Sequence, residues 1–221
     1  MKRIIYFCAL SIFVFGLIYY LITNVANKNT RIKEEENDGI EIIDKRMDIK
    51  GHDISVPQIS GNKDIVQNCN KKIIEKIEWY IDKKSSIYDF RYHVKYNDGR
   101  YVSIILEMTQ YKKGLPHPGK QAHAINLDFK EEKILDNDDL VSNQKQFCQD
   151  IKDGRYMLLS ENEIPNNIAY SSDYIENKEI GEIEDMYNNK EFEIFISNQS
   201  LGFIAMVPYA IGNYAIFEWA K

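Results

Sequence analysis

Two histidines in this sequence have a spacing that could support metal binding. His117 and His123 are separated by five residues and flank the start of a predicted strand, so two imidazoles could meet at one metal ion if the loop curled back. Metal sites normally take three or four ligands, and no nearby cysteine or cluster of carboxylates completes the set. We therefore predict neither a metal site nor a cofactor. We interpret His117 as a loop residue and His123 as a hydrogen-bonded residue on a sheet face.

A run of carboxylates could also attract a cation, and it consists of Asp136, Asp138 and Asp139. The same segment is typical of a surface turn that caps a helix, because a short acidic side chain accepts hydrogen bonds from the first free N–H groups of the helix. We favour the helix cap.

Motifs that position a catalytic group are absent from the sequence. There is no Gly-x-Ser-x-Gly nucleophile elbow, no His-Glu-x-x-His pair and no glycine-rich phosphate loop. We therefore predict no catalytic residue and a protein that is not an enzyme.

The 15 tyrosines leave a sugar-binding interpretation open, because aromatic rings stack on sugar faces. Half-buried strands also favour tyrosine, so the residues could equally belong to a sheet. The tyrosines in or beside predicted strands and loops are Tyr101, Tyr111, Tyr209 and Tyr214.

The helices and strands that would position these candidate residues follow a hydrophobic segment at the N-terminus. Lys2 and Arg3 precede a stretch from Ile4 to Asn27 without any charged residue, enough for the ~20 residues of a membrane-spanning helix. Its apolar core exceeds the ~7–15 residues of a cleavable signal, which favours an uncleaved anchor. We predict a cytoplasmic stub at 1–3, a transmembrane helix at 4–25 and a single-pass membrane protein with the rest extracytoplasmic. Basic residues also follow the helix, so a cytoplasmic domain is the alternative.

Beyond the anchor, residues 26–46 are typical of a solvated tether, and we predict the folded domain at 47–221. Without Lys2 and Arg3 the chain has 26 basic and 34 acidic residues, a net charge of −8. This balance argues against nucleic-acid binding, which requires clustered Lys and Arg. Cys69 and Cys148 could be two buried free thiols or one disulfide.

Hydrophobic periodicity predicts an α+β domain. Apolar residues recur every four positions from Ile65 to Ile81, which predicts one principal amphipathic helix. Two alternating segments joined by Asn97-Asp98-Gly99-Arg100 predict a hairpin with a type I′ turn, in which Asp98 and Gly99 are the central residues.

Other alternating segments predict a mostly antiparallel sheet packed on this helix. Met47–Ile59 suits one edge strand because it contains Pro57. Further strands are predicted at Ala122–Phe129, at Tyr156–Leu159 and in the C-terminal part from Phe192 to Trp219, with a short helix at Gln144–Ile151. Pro165–Asn189 lacks periodicity, and we predict no shape for it.

Four segments in order carry a family resemblance: Ile54–Ile59 with the helical Asn70, Gly114–His117, Asn126–Leu140 and Val207–Ala215. Over about Asp48 to Trp219 the chain resembles the exported domain at the C-terminus of RsiV-type anti-sigma factors and beside certain peptidoglycan deacetylases, a family of unknown function. The resemblance implies a binding or sensing module at the cell wall, of the kind that in RsiV-type proteins engages lysozyme.

The chain also departs from that family. Only Met1 to Arg3 precede the predicted anchor, so we expect no direct binding to a sigma factor. The metal-binding motifs of the deacetylases are absent, so deacetylation is not implied. Gly114-Leu115 lacks the paired glycine of the family's loop.

The sequence and the resemblance together predict a membrane-anchored extracytoplasmic module that binds a lysozyme-like protein or peptidoglycan at the bacterial cell envelope. An acidic surface would steer a cationic enzyme toward it. We predict Tyr111, Gly114 and His117 as ligand-binding residues, because loops at sheet ends commonly make contacts. The alternatives are a cell-wall-directed hydrolase that pairs His117 with a carboxylate, and a structural envelope protein.

Overall fold

The computed structural model describes residues 40–81, 85–112, 114, 116–159, 173–198, 200–208 and 213–220. The predicted anchor at 4–25 and the predicted tether up to residue 39 lie outside this part of the chain. The strands are β1 (Ile42–Ile49), β2 (His52–Ile59), β3 (Ser85–Asn97), β4 (Tyr101–Lys112), β5 (Gly119–Asp128), β6 (Lys133–Leu135), β7 (Tyr156–Leu158), β8 (Phe192–Ile196), β9 (Leu201–Met206) and β10 (Tyr214–Trp219). The helices are α1 (Asp64–Tyr80), α2 (Asn137–Leu140), α3 (Gln144–Lys152) and α4 (Ile180–Asn188), with a further helical turn at 173–176. None of these described helices is long and apolar enough to cross a membrane.

The fold begins with a hairpin where the sequence suggested a single edge strand. β1 pairs with β2 in antiparallel register, from Ile42 opposite Ile59 to Ile49 opposite His52. Lys50 and Gly51 form the turn with φ angles of 53° and 89°, and positive values at both central residues are what a type I′ turn requires. Regular structure therefore starts at Ile42, inside the segment that we expected to be tether.

α1 is the amphipathic helix that the periodicity predicted. Val66, Cys69, Ile73 and Ile77 lie buried along one side, while none of its charged residues is buried. The helix ends where Ile81 turns to an extended conformation, with its N–H still bonded to the Ile77 carbonyl.

The strands form a two-stranded sheet (β1-β2) and two four-stranded sheets, ordered β3-β4-β5-β6 and β7-β10-β9-β8, and every pairing is antiparallel. The prediction of an α+β fold with mostly antiparallel strands is thus confirmed. β4 is buried on both faces: Val102, Ile104 and Leu106 pack with α1, whereas Ile105 packs against the β7–β10 sheet. The two larger sheets consequently stack face to face.

The β3–β4 hairpin forms as predicted, but its turn differs from the predicted type. Asn97 lies opposite Val102, and Gly99 has a φ of 87° while Asp98 has no positive φ. A type I′ turn needs positive φ at both central residues, so that assignment was wrong. The Asp98 carboxylate instead accepts hydrogen bonds from the N–H groups of Arg100 and Tyr101, which close the turn.

A second helical layer covers the far face of the β7–β10 sheet, so α1 is not the single principal helix that we expected. α3 confirms the predicted short helix, and α4 lies within Pro165–Asn189, where the sequence showed no periodicity. α4 buries Ile183, Met186 and Tyr187 among acidic neighbours. Residues 165–172 of that segment lie outside the described part of the chain.

Cys69 and Cys148 are free thiols buried in different hydrophobic clusters. Burial raises the pKa of both Cys69 and Cys148 to about 11. Each thiol therefore stays protonated at neutral pH and behaves as a small apolar side chain.

Candidate functional site

The three predicted ligand residues lie around the β4–β5 connection. Tyr111 pairs with Ser86 near the end of β4, Gly114 is exposed with a φ of 97°, and His117 is exposed just before β5. Residues 113 and 115 of this loop lie outside the described part of the chain. The ligand-binding role of this loop stays a prediction.

A cleft of about 440 Å³ opens elsewhere, beside the C-terminal end of α1. Its walls come from α1, the unpaired edge of β5, the β6–α2 turn, the ends of α3 and α4, and β8. We call it the Trp79 cleft, and its lining residues are Lys76, Trp79, Tyr80, Ala124, Asn126, Leu135, Asp136, Asn137, Asp138, Gln144, Tyr187, Asn188, Lys190, Phe192, Glu193 and Ile194.

The inner end of the cleft is organised around the carboxylate of Glu193. β6 pairs with β5 only at Asn126–Asp128, so among the described strands none pairs with the backbone of Ala124 on that side. Glu193 Oε2 accepts hydrogen bonds from the Ala124 N–H at 2.8 Å and from the Tyr80 hydroxyl at 3.0 Å. Oε1 lies 2.6 Å from His123 Nδ1. One side chain from β8 thus completes the edge of β5.

The ionisation of this group follows from its contacts. Burial alone would raise the pKa of Glu193, but hydrogen bonds to His123, Ala124 and Tyr80 outweigh it and lower the pKa below its ordinary value. Burial, followed by the charge of Glu193, raises the pKa of Tyr80. At neutral pH, Glu193 is therefore a carboxylate and Tyr80 a neutral donor.

The imidazole of His123 is contacted at Nδ1 by Glu193 and on its flat face by Tyr80. Its ring stacks on Tyr80 with centroids 3.7 Å apart and planes 11° from parallel. His123 is therefore a hydrogen-bonded histidine on a sheet face, as we expected. The carboxylate partner comes from 70 residues further along the chain, a pairing that no local pattern reveals.

Asparagine side chains form the adjoining wall of the cleft by binding the free edge of β8. Asn137 accepts from the Ile194 N–H at 3.1 Å and donates to the Phe192 carbonyl at 2.7 Å. Asn126 donates to the Ile194 carbonyl at 2.7 Å and accepts from the Ile196 N–H at 3.3 Å. An amide offers the same donor and acceptor as a peptide group, so these side chains replace a neighbouring strand.

The mouth of the cleft carries a large exposed aromatic ring. Trp79 is 75% exposed and meets Tyr80 edge to face, with centroids 5.1 Å apart. Lys76 Nζ lies 5.2 Å from the Trp79 ring centroid and 5.1 Å from that of Tyr80. The sequence contained one signal for this site that we did not use, namely a tryptophan off the apolar stripe of α1.

The carboxylate run at 136–139 is a helix cap, as we favoured. Asp136 accepts hydrogen bonds from the N–H groups of Asp138 and Asp139, and the Asp139 carboxylate accepts one from the Asp136 N–H. Lys133 pairs with Asp139. Within the described ranges, no three His, Cys, Asp or Glu side chains are grouped so that they could hold a metal ion.

Three of the four tyrosines singled out from the sequence, Tyr101, Tyr111 and Tyr214, do not line the Trp79 cleft. Tyr214 donates a hydrogen bond to Glu107 at 2.9 Å, in a cluster with Arg91, whose Nε lies 2.7 Å from the same carboxylate. Tyr101 and Tyr111 lie on β4, and Tyr209 falls outside the described residues. The aromatic residues at the cleft are instead Trp79, Tyr80, Tyr187 and Phe192.

No protein-family model matches the chain, and no curated protein sequence matches it. The chain is similar to the crystal structure of a DUF3298 family member from Bacteroides fragilis, with a TM-score of 0.42 and 10% sequence identity over 82% of this chain and 88% of the other.

Proposed function

We propose that this chain is a membrane-anchored extracytoplasmic binding module of the bacterial cell envelope, and that its ligand is a peptidoglycan glycan held in the Trp79 cleft. The observation that carries the proposal is the exposed Trp79 ring beside Tyr80 at the mouth of a polar cleft. The envelope location comes from the apolar segment at 4–25 and from the family resemblance.

The aromatic residues at the opening of the cleft would supply the apolar contacts of a sugar-binding site. The Trp79 side chain is 75% exposed, so a ligand that covers its ring would remove apolar surface from water. One face of a pyranose ring consists of C–H groups, and these pack on a flat aromatic ring. A ligand that stacks on Trp79 would extend past Tyr80 into the cleft.

The polar side chains of the cleft would supply the hydrogen-bonding groups of the same site. Its amides and carboxylates, including Asn188, Asp138 and Glu193, offer acceptors and donors to sugar hydroxyl and acetamido groups. Asn137 and Glu193 are fixed by hydrogen bonds to β8 and β5, which holds their positions before a ligand arrives. Preformed polar groups around an apolar surface are typical of small-ligand sites.

Binding fits this site better than hydrolysis of a wall polymer. Glycoside hydrolysis normally uses two carboxyl groups on either side of the scissile bond, one of them protonated. Glu193 is ionised and already accepts hydrogen bonds from Ala124 and Tyr80. Its contacts support a positioning role. A wall-directed hydrolase and a structural envelope protein remain the alternatives to this proposal.

A lysozyme-like protein is the second candidate ligand, and the charge of the chain favours it. The −8 charge beyond Arg3 would attract a cationic protein over a distance set by the ionic strength. Such binding would weaken steeply with salt, whereas stacking of a neutral sugar on Trp79 would change little.

Tryptophan fluorescence and calorimetry of the full chain in detergent micelles test the proposal. Trp79 and Trp219 are the two tryptophans, so a W219F variant leaves Trp79 as the reporter. Soluble peptidoglycan fragments should shift its emission and bind with micromolar to millimolar affinity. W79A should weaken binding at least tenfold, while W219F should bind like the original chain. Equal binding by W79A would remove the cleft from the proposal, and salt-sensitive binding of lysozyme alone would favour the second candidate.

A further inference from the structure

We propose that His123 is a positioning residue of the glycan site: it fixes the Tyr80 ring, and through Tyr80 it orients the Trp79 ring on which a sugar stacks. This inference rests on the proposed function, because it names what holds the same site ready for its ligand. It depends on the contacts that join β5 and β8 to the last turn of α1.

His123 is itself fixed at several points. Its Nδ1 lies 2.6 Å from Glu193 Oε1, and its Nε2 lies 3.5 Å from the Gln121 side-chain oxygen. Its side chain is 14% exposed, and its backbone pairs with Leu106 of β4. An imidazole with partners at both nitrogens, on a strand inside a sheet, has little freedom to rotate, so it can serve as a rigid support.

Tyr80 receives this support on its ring face and at its hydroxyl. The ring stacks on His123 with centroids 3.7 Å apart, and the hydroxyl donates to Glu193 Oε2 at 3.0 Å. The same carboxylate contacts His123, so the three side chains form a closed triangle of contacts. They come from α1, β5 and β8. The Tyr80 ring therefore cannot turn without breaking one of these contacts.

Trp79 takes its orientation from Tyr80. The two rings meet edge to face at 5.1 Å with planes 70° apart, and the Lys76 ammonium lies over both. A largely exposed side chain without such contacts exchanges between rotamers within nanoseconds. A sugar that stacks on a mobile ring must immobilise it, which weakens binding. A fixed Tyr80 lowers that cost because it restrains Trp79 before the ligand arrives.

His123 acts on the ligand without touching it. Tyr80 and Glu193 are among the described residues that line the Trp79 cleft, whereas His123 is not. A change at Tyr80 or Glu193 could remove a direct contact to the ligand. A change at His123 separates positioning from contact.

A second group of the same composition provides a matched control. His93 Nε2 lies 3.4 Å from Glu107 Oε2, and Glu107 Oε1 accepts a hydrogen bond from the Tyr214 hydroxyl at 2.9 Å. These side chains also connect the two stacked sheets, since they come from β3, β4 and β10. None of the three lines the Trp79 cleft.

Time-resolved fluorescence anisotropy and calorimetry of the full chain in detergent micelles test the inference. W219F is the parent, so Trp79 is the single reporter, and soluble peptidoglycan fragments are the ligand. H123A should increase the nanosecond motion of Trp79 without ligand and weaken fragment binding about two- to tenfold. H123F keeps a flat ring against Tyr80 and should recover much of both properties. H93A should resemble the parent.

Each outcome has a distinct meaning. Faster Trp79 motion with weaker binding in H123A, but not in H93A, supports the inference. Unchanged anisotropy in H123A overturns it and leaves the proposed glycan binding intact, and so does faster motion with unchanged affinity. Equal losses in both variants also overturn it, because they would reflect general loosening between the sheets.

Two further cases complete the test. If H123A does not fold, H123N replaces it, because asparagine keeps a donor toward Glu193 but offers no ring to Tyr80, and the same result is expected. If the parent binds no fragment, the proposed function is refuted together with this role of His123.

Discussion

The hydrophobic regions on the two sides of the stacked sheets are built from different side chains. Between α1 and the β3–β6 sheet the buried residues are mainly Ile, Val and Leu, and we call this region the aliphatic core. Between the β7–β10 sheet and α3 and α4, six of the fifteen buried residues are aromatic, and we call this region the aromatic core. These six are Phe147, Tyr156, Tyr187, Phe192, Phe203 and Phe217. Branched aliphatic side chains fill space in small increments, whereas each ring fills a large volume in one orientation.

The largest expected effect follows from this difference, at the centre of the aromatic core. Phe203 is fully buried, stacks on Phe217 at 4.7 Å and meets Tyr156 at 5.0 Å between centroids. Phe203→Ala should lower the free energy of unfolding by about 3–5 kcal/mol, because the neighbouring rings cannot collapse into the space. Ile73→Val in the aliphatic core should cost about 1 kcal/mol. Urea unfolding measures both, and a cost below 2 kcal/mol for Phe203→Ala would contradict the proposed rigidity of the aromatic core.

The next effect concerns the layer between the two stacked sheets, where Phe195 packs with Ile105 and Ala122. A Cβ added to Gly202 on β9 would lie 2.2 Å from the Phe195 ring and 2.6 Å from the Phe217 carbonyl oxygen. Gly202→Ala should therefore destabilise the protein by about 3 kcal/mol, since the backbone of β10 would have to move. Gly119→Ala is the matched control, because its Cβ would meet no atom within 4 Å. Similar melting temperatures for the two variants would show that β9 can shift without cost.

The two cores also differ in how far the sequence reveals them. The four-residue spacing of α1 and the alternation of β4 and β5 identified the aliphatic core, because one face of each element packs on it. α4 escaped detection because Ile180, Ile183 and Met186 are interspersed with acidic residues and glycine. The β1–β2 turn was missed because Lys50 adopts a positive φ that its residue type does not suggest.

The site was harder to predict than the fold because its members come from distant strands. His123 and Glu193 meet through the stacking of the two sheets, which depends on tertiary packing. Residues that carried the family resemblance have structural contacts here: Asn70 binds the backbone of Ile59, and Asn126 binds β8. Residues with such contacts predict a fold more directly than they predict a ligand.

Polar side chains join the two cores, and this contact provides a third prediction. Asn126 is 3% exposed, and its amide accepts from Ser103 at 2.7 Å and donates to the Ile194 carbonyl at 2.7 Å. Asn126→Ala should lower stability by about 2 kcal/mol, because it leaves buried groups of β8 without partners. Asn68→Ala, which removes an exposed contact to Glu132, should cost much less. If the two variants unfold at the same urea concentration, the amide does not tie the sheets together.

The smallest expected effect depends on pH and concerns the carboxylate that reaches from the β7–β10 sheet to β5. The lowered pKa of Glu193 means that folding favours its ionised form. The resulting stability is present above the ordinary glutamate pKa of 4.5 and is lost as the pH falls through the lower value in the folded protein. Glu193→Gln should therefore cost about 1–2 kcal/mol at pH 7 and progressively less in acid.

Glu191→Gln is the control for this prediction, because Glu191 is exposed two positions earlier and should show little effect at either pH. Urea unfolding at pH 7 and pH 3 separates the two variants. A cost for Glu193→Gln that stays constant between these pH values would mean that the side chain acts through its shape. A cost that disappears in acid would show that its charge holds the edge of β5 against β8 and keeps the floor of the Trp79 cleft in place.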